Sequence, residues 1–149
     1  MGGRWDLPAT GDPEAQDRAA IDALLDRARA GLDRVLPSDL AAEMAAGAVV
    51  VDIRPVDQRM RDGSLPGAVV VDRNVLEWRL DPTCPHRLPL ATGADVRYVL
   101  VCNEGYGSSL AAATLRELGL RRATDLVGGY QAWLALAAGT RPGAAQVRI

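Results

Sequence analysis

Read for its alternation of apolar and polar positions, the chain breaks into short β-branched runs separated by amphipathic stretches. Ala48 to Ile53 is nearly unbroken apolar sequence, ending against the polar pair Asp52 and Arg54. Strands covered on both faces of a parallel sheet look like this. Val69 to Val71 repeats the signal, Tyr98 to Val101 repeats it immediately before Cys102, and a further strand is expected near Ala123 to Val127. Such runs, alternating with helical or loop segments, predict an α/β fold on a parallel sheet.

The amphipathic stretches predict the helices. Residues 1–11 hold three glycines and a proline without periodicity and read as a frayed tail. Asp12 can cap, and Pro13 can open, a helix predicted over residues 12–34. Ile21, Leu25, Ala28 and Leu32 form its apolar stripe, with Glu14, Arg18 and Asp22 as a charge ladder beside it. Pro37 interrupts that pattern, and Ser38 is placed to cap a short helix from Asp39 to Ala46 that Gly47 ends in the left-handed region. Val75 to Leu80 reads as another short helix, and Asp81 to Asp95 as a proline-containing loop that carries Cys84 and His86. Helices are also expected over Ser108 to Leu118 and, after Gly128 and Gly129, over Tyr130 to Ala138, with Trp78 and Trp133 as packing residues.

Composition narrows the class. A chain of 149 residues fits one domain, and 48% hydrophobic with 24% charged residues excludes a largely disordered polymer. The net charge is -2 and the arginines are scattered, so nucleic acid and anionic membranes have no electrostatic footprint to bind. The longest apolar runs, Ala45 to Val51 and Ala132 to Ala138, fall far short of the roughly 20 residues that span a bilayer. Without an apolar signal segment, two cysteines point to free thiols in a reducing, cytoplasmic compartment. Two cysteines and one histidine cannot complete a Cys/His zinc site, and Gly105 and Gly107 have neither a Walker lysine nor a third fingerprint glycine. No metal or cofactor is implied. A monomer and a homodimer are both compatible with the pattern.

The candidate chemistry lies where the third strand ends. Cys102 is followed by Asn103, Glu104, Gly105, Tyr106, Gly107 and Ser108, a small polar loop opening into a helix. In open α/β sheets ligands bind beyond the carboxyl ends of strands. A loop rich in small residues can turn several N–H groups toward one point, and the helix adds the positive end of its dipole. That arrangement is expected to bring the Cys102 thiol below its ordinary value of about 8.5 and to stabilise an anionic sulfur. A small apolar residue capping a core strand would fit the same position, and the loop alone leaves both readings open. Cys84 could serve as a resolving thiol and His86 as a proton shuttle if their loop folds over this site.

Four landmarks in order resemble the rhodanese homology domain. Asp52-Ile53-Arg54 is similar to its Asp-x-Arg after the first core strand, and Gly63-Ser64-Leu65-Pro66-Gly67-Ala68 to its Gly-His-Ile-Pro-Gly-Ala turn. Cys102 to Gly107 resembles the six-residue loop that opens with the catalytic cysteine, and Gly128-Gly129-Tyr130-Gln131-Ala132-Trp133 its Gly-Gly-x-x-Ala-Trp segment. The resemblance covers residues 36–145 and implies a rhodanese-like five-stranded parallel sheet flanked by helices, to which this chain adds an N-terminal helix.

It also implies a sulfurtransferase with Cys102 as nucleophile and persulfide carrier, Asn103 to Ser108 as its anion cradle, and Asp52 with Arg54 as structural support. Partners would be a small sulfur donor and a thiol, cyanide or protein acceptor. Three departures shape the expectation, one being Ser64 in place of the turn's usual histidine, where a hydroxyl can still bond the backbone locally. Gly107 stands where thiosulfate-using members often have arginine, and Glu104 adds a negative charge that opposes a doubly charged donor. Related phosphatases close a loop one residue longer with arginine, where this chain has Ser108, so phosphoryl oxygens lack their bidentate grip. The rival reading is a non-catalytic binding or regulatory module on the same fold.

Overall fold

A computed structural model of the chain describes residues 18–139. The expected tail, the Asp12 cap and Pro13 lie outside the described residues. The elements in order are α1 (Ala20–Ala30), α2 (Leu40–Ala45), β1 (Val49–Asp52), α3 (Val56–Asp62), β2 (Val69–Val70), α4 (Leu76–Leu80), β3 (Tyr98–Val101), α5 (Gly107–Glu117), β4 (Thr124–Asp125) and α6 (Gly129–Ala137). Single turns of 3-10 helix, Pro37–Asp39 and Arg73–Val75, lead into α2 and α4.

All four strands run parallel in the order β2-β1-β3-β4. The fold is therefore α/β on a parallel sheet, but among the described residues with four strands instead of the expected five. At the fifth position stands one parallel bridge between Val35 and Leu126. There the Val35 N–H donates to the Asp125 carbonyl at 3.0 Å and the Val127 N–H donates to the Val35 carbonyl at 2.8 Å. Two residues later Pro37, which has no N–H for a ladder, opens the 3-10 turn, and pairing stops.

The core lies on both faces of the sheet, which is why its strands show no polar alternation. On β3, Tyr98 and Leu100 point to one side, where they meet Leu76 and Leu80 of α4 and Leu115 of α5. Val99 and Val101 point to the other, toward Leu40 of α2 and Tyr130 of α6. Outside these two layers, α1 packs on α5 through Leu25.

Several local expectations change. Helix α1 ends at Ala30 with Gly31 as its C-cap, so Leu32 to Arg34 continue as non-helical chain. Ser38 caps nothing and lies inside the 3-10 turn. Helix α3 carries no sequence signal, because none of its residues is buried and Val56 and Met60 face outward. Trp133 packs beside Tyr130 with ring centroids 5.5 Å apart, whereas Trp78 is exposed. Among the described residues no helix is long and apolar enough to cross a membrane. Parallel pairing brings the carboxyl ends of β1, β3 and β4 to one edge of the sheet, and Arg54, Cys102 and the Gly128-Gly129 turn collect there.

Candidate functional site

The chain leaves β3 at Val101, turns through Cys102 to Tyr106 and enters α5 at Gly107. Within that turn the Cys102 sulfur accepts the N–H of Gly105 at 3.1 Å and the N–H of Ser108 at 3.4 Å. Its S–H lies 3.2 Å from the Ser108 hydroxyl oxygen. The curl requires glycine at 105, where φ is +86° and a Cβ would stand 2.7 Å from the Gly128 nitrogen.

The start of α6 fixes the loop from behind. The Tyr130 N–H donates to the Cys102 carbonyl at 2.8 Å, and the Gln131 N–H to the Asn103 carbonyl at 3.0 Å. Asn103 is buried, and its side-chain oxygen accepts from the Gln131 amide at 3.0 Å. Gly129 comes so near that a Cβ on it would lie 2.5 Å from the Cys102 carbonyl oxygen. On the outer side Glu104 is half-buried while Tyr106 and Gly107 are exposed. With Pro55 and Gln58 they surround Cys102 in an open cavity of about 180 Å³.

Asp52 and Arg54 lie beneath this assembly. Arg54 grips the carboxylate with Nε at 3.1 and 3.2 Å and NH2 at 2.8 Å, and both side chains are buried. The same NH2 donates to the Gly63 carbonyl at 2.9 Å, and the guanidinium sits 3.7 Å over the Tyr130 ring. Tyr130 in turn donates its hydroxyl to the Asp62 carbonyl at 2.7 Å, and burial pushes that phenol above its ordinary value. The pair thus ties the end of β1 to the end of α3 and the head of α6.

A second set of partners escapes the sequence reading. Asp125 of β4 accepts the hydroxyls of Ser108 at 2.8 Å and Ser109 at 2.7 Å, and Arg34 grips its carboxylate with Nε at 2.8 Å and NH2 at 3.2 Å. Arg34 also donates to the Gly105 carbonyl at 3.0 Å. Arg29 of α1 reaches that carbonyl at 2.7 Å and the Ser109 hydroxyl at 3.0 Å, with its guanidinium 5.8 Å from the centre of the Tyr106 ring. Arg34 and Asp125 are 91 positions apart in the chain, so no local spacing announces the pair. The cationic charge missing from the loop itself stands underneath it.

Cys84 and His86 stay with their own loop, where the Cys84 sulfur accepts the His86 N–H at 3.4 Å. That loop runs on through Leu90 and Thr92, which line a cavity with Gly47 to Val49 at the amino-terminal end of the strands, opposite Cys102. The conditional roles of resolving thiol and proton shuttle therefore have no support in the geometry. Among the described residues no group of three or more His, Cys, Asp or Glu side chains could hold a metal ion.

Comparison with known proteins gives a consistent family. The model of the Rhodanese-like domain matches residues 36–136. None of the curated proteins matches the chain. A Rhodopseudomonas palustris protein of unknown function, described as a possible tyrosine phosphatase, is 32% identical over 92% of this chain and 99% of its own, with a TM-score of 0.70. The human single-domain sulfurtransferase TSTD1 is 25% identical over 68% of this chain and 94% of its own, with a TM-score of 0.56. Thiosulfate sulfurtransferase from Pseudomonas aeruginosa is 29% identical over 73% of this chain but only 19% of its own, with a TM-score of 0.56.

Proposed function

The chain belongs to the rhodanese-like domain family, and on that premise we propose that it is a sulfurtransferase that moves sulfane sulfur from a donor to a thiophilic acceptor through a Cys102 persulfide. The observation that carries the reading is the convergence of the Gly105 and Ser108 N–H groups on one sulfur at the floor of an open cavity. Backbone donors aimed at a site of developing negative charge need no rearrangement during reaction.

In the loading step the Cys102 thiolate attacks the outer sulfur of a donor R–S–SH. The new S–S bond to Cys102 forms as the donor's S–S bond breaks, and the donor leaves as RS⁻, which takes up the proton given up by the cysteine; with an α-keto mercaptoacid the bond broken is C–S instead, and the electron pair leaves on the enolate, which takes that proton. An acceptor thiolate then attacks the outer sulfur and releases Cys102 as its thiolate. Two easier displacements replace one difficult one, and no external oxidant or reductant enters. A reducing, cytoplasmic setting keeps Cys102 and Cys84 as the free thiols they are in this structure.

The loop chemistry favours a persulfide or mercaptoacid donor over thiosulfate. Glu104 lines the cavity, while Arg29 and Arg34 are committed to the Gly105 carbonyl and to Asp125 beneath it. A doubly charged donor would meet that like charge, and among the described residues no arginine lines the cavity. The phosphatase description of the Rhodopseudomonas neighbour has no counterpart here, since Cys102 to Ser108 contains no arginine to fork onto phosphoryl oxygens. The acceptor would be a small thiol, cyanide or a protein.

Intact-mass spectrometry tests the reading. After incubation with a low-molecular-weight persulfide, mercaptopyruvate or thiosulfate in turn, the wild-type chain should gain the mass of one sulfur atom with at least one donor. Cys102→Ala should gain none and Cys84→Ser should behave as wild type. A wild-type mass unchanged by all three donors overturns the proposal in favour of a binding module.

A further inference from the structure

The Cys102 S–H donates to the Ser108 hydroxyl oxygen at 3.2 Å, and Ser108 gives its one proton to Asp125 Oδ2 at 2.8 Å; once the thiol proton has gone, the sulfur is a second acceptor for that Ser108 proton. Asp125 Oδ2 does not depend on it. That oxygen also faces the Ser109 hydroxyl at 2.7 Å and Arg34 NH2 at 3.2 Å, while Oδ1 takes Arg34 Nε at 2.8 Å. Ser109 has its oxygen filled by Arg29, and its other acceptor, the Gly105 carbonyl, is distant at 3.4 Å, so its proton stays on Asp125. Ser108 can therefore turn its proton away without leaving Asp125 Oδ2 empty. Ser108, Ser109 and Asp125 are each 0% exposed, so solvent would not make good a lost hydrogen bond.

We propose that Ser108 is a two-position hydroxyl that follows the charge on Cys102, and that Asp125, neutralised by Arg34, is the positioning residue that makes the second position available. The inference rests on the sulfurtransferase reading only in that a carrier sulfur alternates between protonated and anionic forms. While Cys102 is a thiol, its S–H donates to Ser108 and Ser108 donates to Asp125. When the thiol proton departs through the cavity to a base in solution, Ser108 rotates and donates to the sulfur anion beside the Gly105 and Ser108 N–H groups. Asp125 remains a carboxylate throughout, held by Ser109 and Arg34. Every buried donor of the set keeps an acceptor in both states, and Asp125 keeps Ser109 and Arg34.

Arg34 has a separate part, because an uncompensated carboxylate one hydroxyl away from the sulfur would oppose its ionisation. Among the described residues, the other charged or titratable groups packed around Cys102 include Glu104 and Tyr106 in its loop, Arg29 of α1, Tyr130 of α6, and Asp52 at the end of β1 with its ion-pair partner Arg54. Only Asp125 and Arg34 act on the sulfur through Ser108. Arg34 precedes the family-matched residues 36–136, whereas Ser108 and Asp125 lie within them.

The test is the pH profile of Cys102 alkylation by iodoacetamide, with Cys84→Ser as background so that one thiol reports. Arg34→Gln should move the profile to higher pH and slow alkylation at pH 7 by about tenfold. Adding Asp125→Asn should restore the profile to within about threefold of the background, although this double variant lacks the ion pair altogether. A purely structural role predicts the reverse order, with the double variant at least as impaired as the single. Ser108→Ala should slow alkylation in the same direction and Ser108→Thr should not, a comparison that stands even where Arg34→Gln fails to fold. An unmoved profile in both Arg34→Gln and Ser108→Ala, or a double variant that stays slow, overturns the proposal. No sulfur donor enters this experiment, so its result is independent of persulfide formation.

Discussion

The Cys102 loop is held on two flanks by means that differ in kind. Toward α6 the main chain does the holding: the carbonyls of Cys102 and Asn103 accept the N–H groups of Tyr130 and Gln131, over the brace of Asp52 and Arg54. Toward α1 the holding is by side chains, as Arg29 and Arg34 converge on the Gly105 carbonyl while Asp125 collects Ser108 and Ser109. The first flank fixes where the sulfur lies. The second surrounds it with paired charge. Stability should therefore be concentrated on the α6 flank, and tuning of the thiol on the α1 flank.

Asp52→Ala breaks the α6 flank most severely, since it leaves the Arg54 guanidinium buried without its carboxylate. We expect a loss of about 3–5 kcal/mol in denaturant unfolding. Gly129→Ala tests the same flank with a smaller change. The new Cβ would have to sit at φ +63° and 2.5 Å from the Cys102 carbonyl oxygen, and we expect a cost of about 2–3 kcal/mol by thermal or denaturant melting. Arg29→Ala, on the opposite flank, removes a donor that Arg34 duplicates on the same carbonyl, and should cost about 1 kcal/mol. If Arg29→Ala proved as destabilising as Asp52→Ala, the division between the flanks would be wrong.

The same division governs what could be read from the sequence. The α6 flank was legible because its parts are local motifs whose spacing encodes geometry: Asp52-Ile53-Arg54, the Cys102 loop and the paired glycines before Tyr130. The β-branched runs of β1 and β3 were legible for a related reason, since burial on both faces leaves them uninterrupted by polar residues. Helix α3 was not legible, because it buries no side chain and so has no apolar stripe to betray a helical period. Arg29, Arg34 and Asp125 were not legible because their meaning depends on which strand edge the added segment folds back upon. Arg29 and Arg34 pass for ordinary surface charges of a polar helix and its end. The fifth strand was over-read, as the family pattern carries no sign that Pro37 would stop pairing after one residue.

The lone bridge at Val35 bears on where this protein can be cut. The family match starts at residue 36, one position beyond it. A fragment trimmed to that boundary would shed Arg34 and both hydrogen bonds of Val35, baring the outer rim of β4. Uncovered rims of this sort recruit strands from neighbouring molecules. The stretch recognised as the family's domain is thus smaller than the piece that keeps β4 covered and Arg34 beside the cysteine loop.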